Sequence, residues 1–144
     1  MDLLGADFPF HAEALAGKRV LICGASGGIG AATARMMAKA GASTVGAARS
    51  VDKLDALVKE LASLGPGPHV AMALDLEDLA AVEAAVKTLL SDGPVHVLVN
   101  NAGGPPGGAL IDAEVAEFIA PFQRHLHASH TLVKGLLPGM EAAG

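Results

Sequence analysis

Residues 20–34 read Val-Leu-Ile-Cys-Gly-Ala-Ser-Gly-Gly-Ile-Gly-Ala-Ala-Thr-Ala. An aliphatic run from Arg19 to Cys23 gives way to four glycines in seven residues, Gly24 to Gly30, and then to Ala31–Ala40, which stops at Gly41. Ala and Met favour helix, and a glycine is the expected residue just past a helix end. The stretch therefore reads as strand, glycine loop, helix. Glycines in such a turn let the backbone approach a pyrophosphate closely, while the amides and dipole of the helix N-terminus stabilise its negative charge. The usual G-x-G-x-x-G spacing is absent. Gly24, Gly28 and Gly30 satisfy G-x-x-x-G-x-G, and Gly24, Gly27 and Gly30 satisfy G-x-x-G-x-x-G. A turn that is merely tight needs fewer glycines. A dinucleotide is favoured, with Gly24, Ser26, Gly27, Gly28, Ile29 and Gly30 as candidate contacts.

The pattern repeats downstream. Ser43–Ala48 reads as a second strand, and Leu54, Leu57, Val58, Leu61 and Leu64 recur at helical spacing before the break Gly65-Pro66-Gly67-Pro68. Val70–Leu74 is a third strand, followed by Leu79, Val82, Val86 and Leu89 on one helical face and the stop Asp92-Gly93-Pro94. Val95–Val99 is a fourth. Continuous aliphatic strands are how parallel strands covered on both faces look, so the expected class is α/β, a Rossmann-type doubly wound parallel sheet. Past Asn100, a Gly/Pro loop (Gly103 to Gly108) leads to Val115, Phe118, Ile119, Phe122 and Leu126 at helical spacing. Pro121 suggests a short helix ending near Ala120 and a longer one with Pro121 in its first turn, running to about Leu137 before Pro138. Residues 1–17, with Phe8, Pro9, Phe10 and His11, read as an N-terminal extension packed against a dinucleotide-binding domain at 18–144.

Composition narrows the chemistry. Ten Lys plus Arg against fifteen Asp plus Glu give a net charge of −5 over 144 residues, without a basic block; nucleic acid is not an expected partner. No apolar run approaches the roughly 20 residues that cross a bilayer, and the N-terminus lacks a basic leader. The chain reads as soluble and cytoplasmic. Its one cysteine, Cys23, cannot form an internal disulfide and reads as a small buried hydrophobe. The sequence holds no tyrosine, so these residues supply no phenolic acid, base or nucleophile.

At the end of the second strand, eighteen residues after Gly30, a free ribose 2′-hydroxyl would normally meet an acidic side chain. Ala48 stands there, followed by Arg49 and Ser50. A guanidinium and a hydroxyl suit a 2′-phosphate, so the expected cofactor is NADP(H); the plain alternative is that Arg49 is a solvated charge.

The chain resembles the N-terminal half of a short-chain dehydrogenase/reductase, and in particular the 3-oxoacyl acyl-carrier-protein reductase-like members. The likeness rests on Gly24–Gly30 as nucleotide loop, Asp75-Leu76 after the third strand and Asn100-Asn101-Ala102-Gly103 after the fourth, with Leu136-Leu137-Pro138-x-Met140 resembling a further family segment. The resemblance implies that Asp75 accepts a hydrogen bond from the adenine amino group and that the Leu76 backbone meets the ring edge. It further implies that Asn101, Ala102 and Gly103 approach the cofactor ribose. Asp75 could instead cap the following helix, and Asn100 is expected to tie the fourth strand to its neighbour.

There are also departures. Where family members carry an Asn in a proton relay, about thirteen residues before Pro138, this sequence has His125; a histidine could take over the relay or simply be solvated. His125, His127 and His130 do not suggest a metal site, since at about 100° per residue positions 125 and 127 point apart. His96, where the family often has Asp, reads as local structure. The resemblance puts the catalytic Ser, Tyr and Lys beyond residue 144, and a four-stranded sheet would leave Val95–Val99 with an open edge. The expected function is thus the cofactor half, incomplete at the C-terminus, of an NADP-dependent oxidoreductase acting on a small carbonyl or alcohol, with pairing into a homo-oligomer through residues 121–137. The alternatives are a non-catalytic NADP(H)-binding module and an assembly fragment.

Overall fold

The computed structural model describes residues 11–104 and 107–144. Phe8, Pro9 and Phe10 of the expected N-terminal extension, and Pro105 and Pro106 of the Gly/Pro loop, lie outside the described residues. Four parallel strands, β1 (Arg19–Cys23), β2 (Ser43–Ala48), β3 (His69–Ala73) and β4 (Val97–Val99), stand in the order β3-β2-β1-β4. Val20 pairs with Thr44 on one side and Val97 on the other. The chain therefore winds outward from β1 through β2 to β3, then returns to β1's other flank as β4.

Period-2 alternation within β1 sorts its side chains to two cores. Val20 and Ile22 face α1 (Gly28–Lys39) and α2 (Val51–Leu61), packing with Ala34, Ala38, Leu54, Leu57 and Leu61. Leu21 and Cys23 face α3 (Leu79–Ser91) and α5 (Ala128–Ala142), packing with Val82, Leu89, Leu132 and Leu136. Helices cover both faces, as a doubly wound sheet requires. Gly135 permits the close approach of α5 to α3, since a Cβ there would lie 2.6 Å from Val86 Cγ1. Ahead of β1, the Leu15 amide donates to the Ala40 carbonyl at 2.8 Å.

Several local expectations are corrected. β3 is an outer strand and is not covered on both faces: Val70 is 49% exposed. β4 proper is only Val97–Val99, while Val95, at 1% exposure, belongs to the α3/α5 core. The last helical region has no break at Ala120. It runs through a 3-10 turn (Val115–Phe118), a short α4 (Ile119–Phe122), a π-helical turn (Gln123–His127) and α5. Pro121 does sit in the first turn of α4, where a missing amide hydrogen is harmless. Pro138, however, lies inside α5, which continues to Ala142 because Leu132 and Leu136 stay anchored on α3. The Val115–Leu126 stripe is exposed; periodicity gave its existence but not the surface it covers.

Arg19 fastens α3 to the sheet. Its Nη1 donates to the Leu89 carbonyl at 2.7 Å and the Gly93 carbonyl at 3.0 Å, with Asp92 at 3.6 Å from Nη2. The Leu89 carbonyl is one that the helix end leaves unpaired, and Gly93 lies just past the C-cap Asp92. Arg19→Met keeps the apolar stem but removes both donors, so it should lower stability by about 1–3 kcal/mol, read from the urea midpoint; a loss below about 0.5 kcal/mol contradicts this anchoring role.

Candidate functional site

The C-terminal ends of all four strands open on one cleft of about 510 Å³. It lies where the strand order reverses between β1 and β4, the place where open α/β sheets bind ligands. Three glycines shape its floor by different means. Gly24 has φ +64°, and a Cβ there would stand 2.5 Å from Asn101 Nδ2. A Cβ on Gly30 would collide with the Gly24 carbonyl, so α1 can begin directly beneath the loop only with glycine at that position. Gly27 is extended, and a Cβ on it would meet nothing within 4 Å. That open space belongs to the cleft.

Gly27 is also the N-cap of α1 and supplies no side-chain cap; no acidic residue occupies the first turn. Among the described residues the first turn of α1 thus lacks the side-chain partners that usually satisfy a helix start. Ile29 stands 76% exposed on the rim. The arrangement fits an anionic group lying across a partly apolar surface.

Eleven of the thirteen sequence-derived candidates line the cleft: Gly24, Ser26, Gly27, Ile29, Arg49, Ser50, Asp75, Leu76, Asn101, Ala102 and Gly103. Gly28 and Gly30 do not; Gly30 is buried against Gly24, and Gly28, at φ +51°, shapes the turn. Asp75 Oδ1 accepts from the Glu77 amide at 3.0 Å, whereas the cap of α3 is Asp78, which accepts from the Ala81 amide at 3.0 Å. Asp75 is therefore not the helix cap. Asn100 is exposed, and the tie expected of it is made by Asn101, whose Nδ2 donates to the Cys23 carbonyl at 3.1 Å.

Lys53 and Arg124 also line the cleft, and neither was singled out from the sequence. Lys53 carried a usable signal, since it follows Arg49 by four residues and Ser50 by three at the start of a helix. Arg124 carried none. It reaches the cleft through the π-helical turn, where its Nη1 donates to Glu77 Oε1 at 2.6 Å.

The histidines have separate occupations. His125 Nε2 donates to the Gly103 carbonyl at 3.2 Å, while the His127 ring meets Phe122 edge-on, with centroids 6.2 Å apart. Among the described residues no group of three His, Cys, Asp or Glu could hold a metal ion. His96 Nδ1 accepts from the Arg19 amide at 3.0 Å and its own amide donates to the Arg19 carbonyl at 2.8 Å, a local structural role. Burial pushes the Cys23 thiol up to about 11, which leaves it protonated and unreactive near neutrality.

A family model described as short chain dehydrogenase matches residues 18–144. The chain is 35% identical over 137 residues to a dehydrogenase/reductase SDR family protein 7-like of Anopheles gambiae, covering 92% of this chain and 43% of that protein. It is 33% identical over 127 residues to a 3-oxoacyl acyl-carrier-protein reductase of Vibrio harveyi, covering 88% of this chain and 50% of that one. The solved L-sorbose reductase from Gluconobacter frateurii, complexed with NADPH and L-sorbose, superposes with TM-score 0.84 at 33% identity, over 93% of this chain and 51% of the other. The chain thus spans about half the length of the relatives it matches.

The loop geometry separates two glycine substitutions. Gly30→Ala should lower stability by at least about 2 kcal/mol, because its methyl group would strike backbone. Gly27→Ala, which meets no atom but loses the N-cap preference for glycine, should cost no more than about 1 kcal/mol. Urea denaturation of the two variants checks this; equal losses would contradict the assigned geometry.

Proposed function

This chain belongs to the short-chain dehydrogenase/reductase family, and from that premise we propose that residues 18–144 are the cofactor-binding part of an NADP(H)-dependent oxidoreductase. The observation that carries the proposal is the chemistry of the cleft rim. Arg49, Ser50 and Lys53 stand together just past β2, and Ala48 occupies the position where an acidic side chain would accept a ribose 2′-hydroxyl. A carboxylate there would repel a 2′-phosphate; two cations and a hydroxyl attract it. Among the described residues the Ser50 hydroxyl makes no side-chain cap for α2, so it can turn to such a ligand. The NADPH complex of the L-sorbose reductase supports the same choice of cofactor.

In this reading the pyrophosphate lies over Gly27 and the uncapped start of α1, with Ser26 and Ile29 beside it. Asp75 and Leu76 take the adenine, and the Asn101–Gly103 backbone takes the ribose next to the nicotinamide. The bound cofactor supplies hydride to, or accepts it from, a small carbonyl or alcohol substrate. The sequence contains no tyrosine, so a phenolic proton donor would come from residues outside these 144, and the chain by itself would bind the cofactor without turning over substrate. Phe122 and Leu126, exposed by 60% and 52%, offer an apolar face for pairing of copies along residues 121–137.

A charge-assisted hydrogen bond contributes about 1.5–3 kcal/mol, so Arg49→Ala should weaken NADPH binding roughly tenfold to a hundredfold while leaving NADH affinity nearly unchanged. Titration calorimetry with both cofactors makes the comparison. Equal losses would remove the 2′-phosphate assignment.

A further inference from the structure

The π-helical turn Gln123–His127 sends three consecutive side chains toward the cleft. Gln123 Nε2 donates to the Glu77 carbonyl at 2.8 Å. Arg124 donates through Nη1 to Glu77 Oε1 at 2.6 Å and through Nη2 to the Gly104 carbonyl at 3.2 Å. His125 Nε2 donates to the Gly103 carbonyl at 3.2 Å. In an α-helix three successive residues fan over about 200° at about 100° each; the wider π turn narrows that fan only slightly. The three side chains nevertheless all bond to the two loops that flank the cleft.

Of these three residues, Arg124 alone holds both loops. Glu77 lies two residues past Asp75 on the connection after β3, and Gly104 follows Gly103 on the connection after β4. β3 and β4 are the two outer strands, so no ladder hydrogen bond couples their following loops. The Arg124 side chain is only 17% exposed, and its buried Nε has no partner among the described residues. At 2.6 Å the contact with Glu77 is at the short end of charge-assisted bonds. Removing Glu77 would leave the mostly buried Arg124 charge without its counter-ion.

We infer that Arg124 is a positioning residue that sets the span of the cleft, clamping the loop after β3 to the loop after β4 with Glu77 as its anchor. The inference rests on the reading of the cleft as an NADP(H) site. A complete dinucleotide reaches from Asp75–Leu76 to Asn101–Gly103 and depends on the distance between those walls. An adenosine half such as 2′,5′-ADP stays near residues 49–76 and does not.

The test is calorimetric titration of the 144-residue chain and its variants with NADPH and with 2′,5′-ADP, alongside thermal melting. Arg124→Ala should weaken NADPH about tenfold while changing 2′,5′-ADP by less than about twofold. Arg124→Lys, which retains a cation within reach of Glu77 but lacks the fork that also holds Gly104, should recover part of the loss. Glu77→Gln discriminates by sign. It removes the charge that holds Arg124, leaving only a weaker neutral acceptor, and makes the site more positive, so a plain electrostatic role predicts tighter NADPH, whereas the clamp predicts weaker NADPH. Tighter binding in Glu77→Gln, or equal losses for the two ligands in Arg124→Ala, overturns the clamp. If Arg124→Ala does not fold, the near-isosteric Glu77→Gln carries the comparison. Failure of the parent chain to bind either ligand has a different signature and overturns the cofactor reading along with the clamp.

Discussion

The Asn101 amide donates to the Cys23 carbonyl at 3.1 Å, and it can do so only because Gly24 has no side chain in its path. Everything at the top of the sheet depends on that close approach. It joins the end of β1 to the segment after β4 at the one point where the winding reverses. Gly30 extends the same constraint, bringing the start of α1 against the Gly24 carbonyl. Two absent methyl groups thus bring a strand end, a helix start and a return loop together. The cleft is the space left above them.

Electrostatics then decides what the space suits. The chain carries a net charge of −5, yet among the described residues the ionisable side chains lining the cleft are Arg49, Lys53 and Arg124, the last paired with Glu77, against Asp75. Cations gathered in a concave site concentrate their field there while the rest of the surface opposes it. The uncapped first turn of α1 adds the positive end of a helix dipole. The opposite end of the sheet is arranged for structure, with Arg19 occupied by the carbonyls of Leu89 and Gly93.

What the sequence made legible was whatever depends on neighbours along the chain. The glycine loop, the β1 and β2 runs and the cleft residues near 24–29 and 49–50 follow from local pattern, whereas Asp75, Leu76 and Asn101–Gly103 came only through the family resemblance. Residues whose roles come from the path of a distant segment were not legible. Arg124 reaches Glu77 across 47 positions through a π turn, and a 3.6-residue period does not announce a change of pitch. Asn100 and Asn101 are indistinguishable by type, and only the backbone direction after β4 decides which one reaches Cys23. Pro138 reads as a stop, but packing of Leu132 and Leu136 outweighs the one lost hydrogen bond. The β3 run reads as buried because composition does not reveal that a strand is the last in its sheet.

The central claim is that one anion-binding cleft at the carboxyl ends of the strands takes NADP(H). Hydrogen–deuterium exchange of the chain with and without NADPH tests it most directly, because it reports every backbone amide at once. The account predicts slowed exchange in four segments far apart in sequence, 24–30, 49–53, 75–77 and 101–104, and no change at the other end of the sheet around residues 68 and 92. Protection confined to one of these segments, protection at the opposite end, or none at saturating NADPH would contradict it.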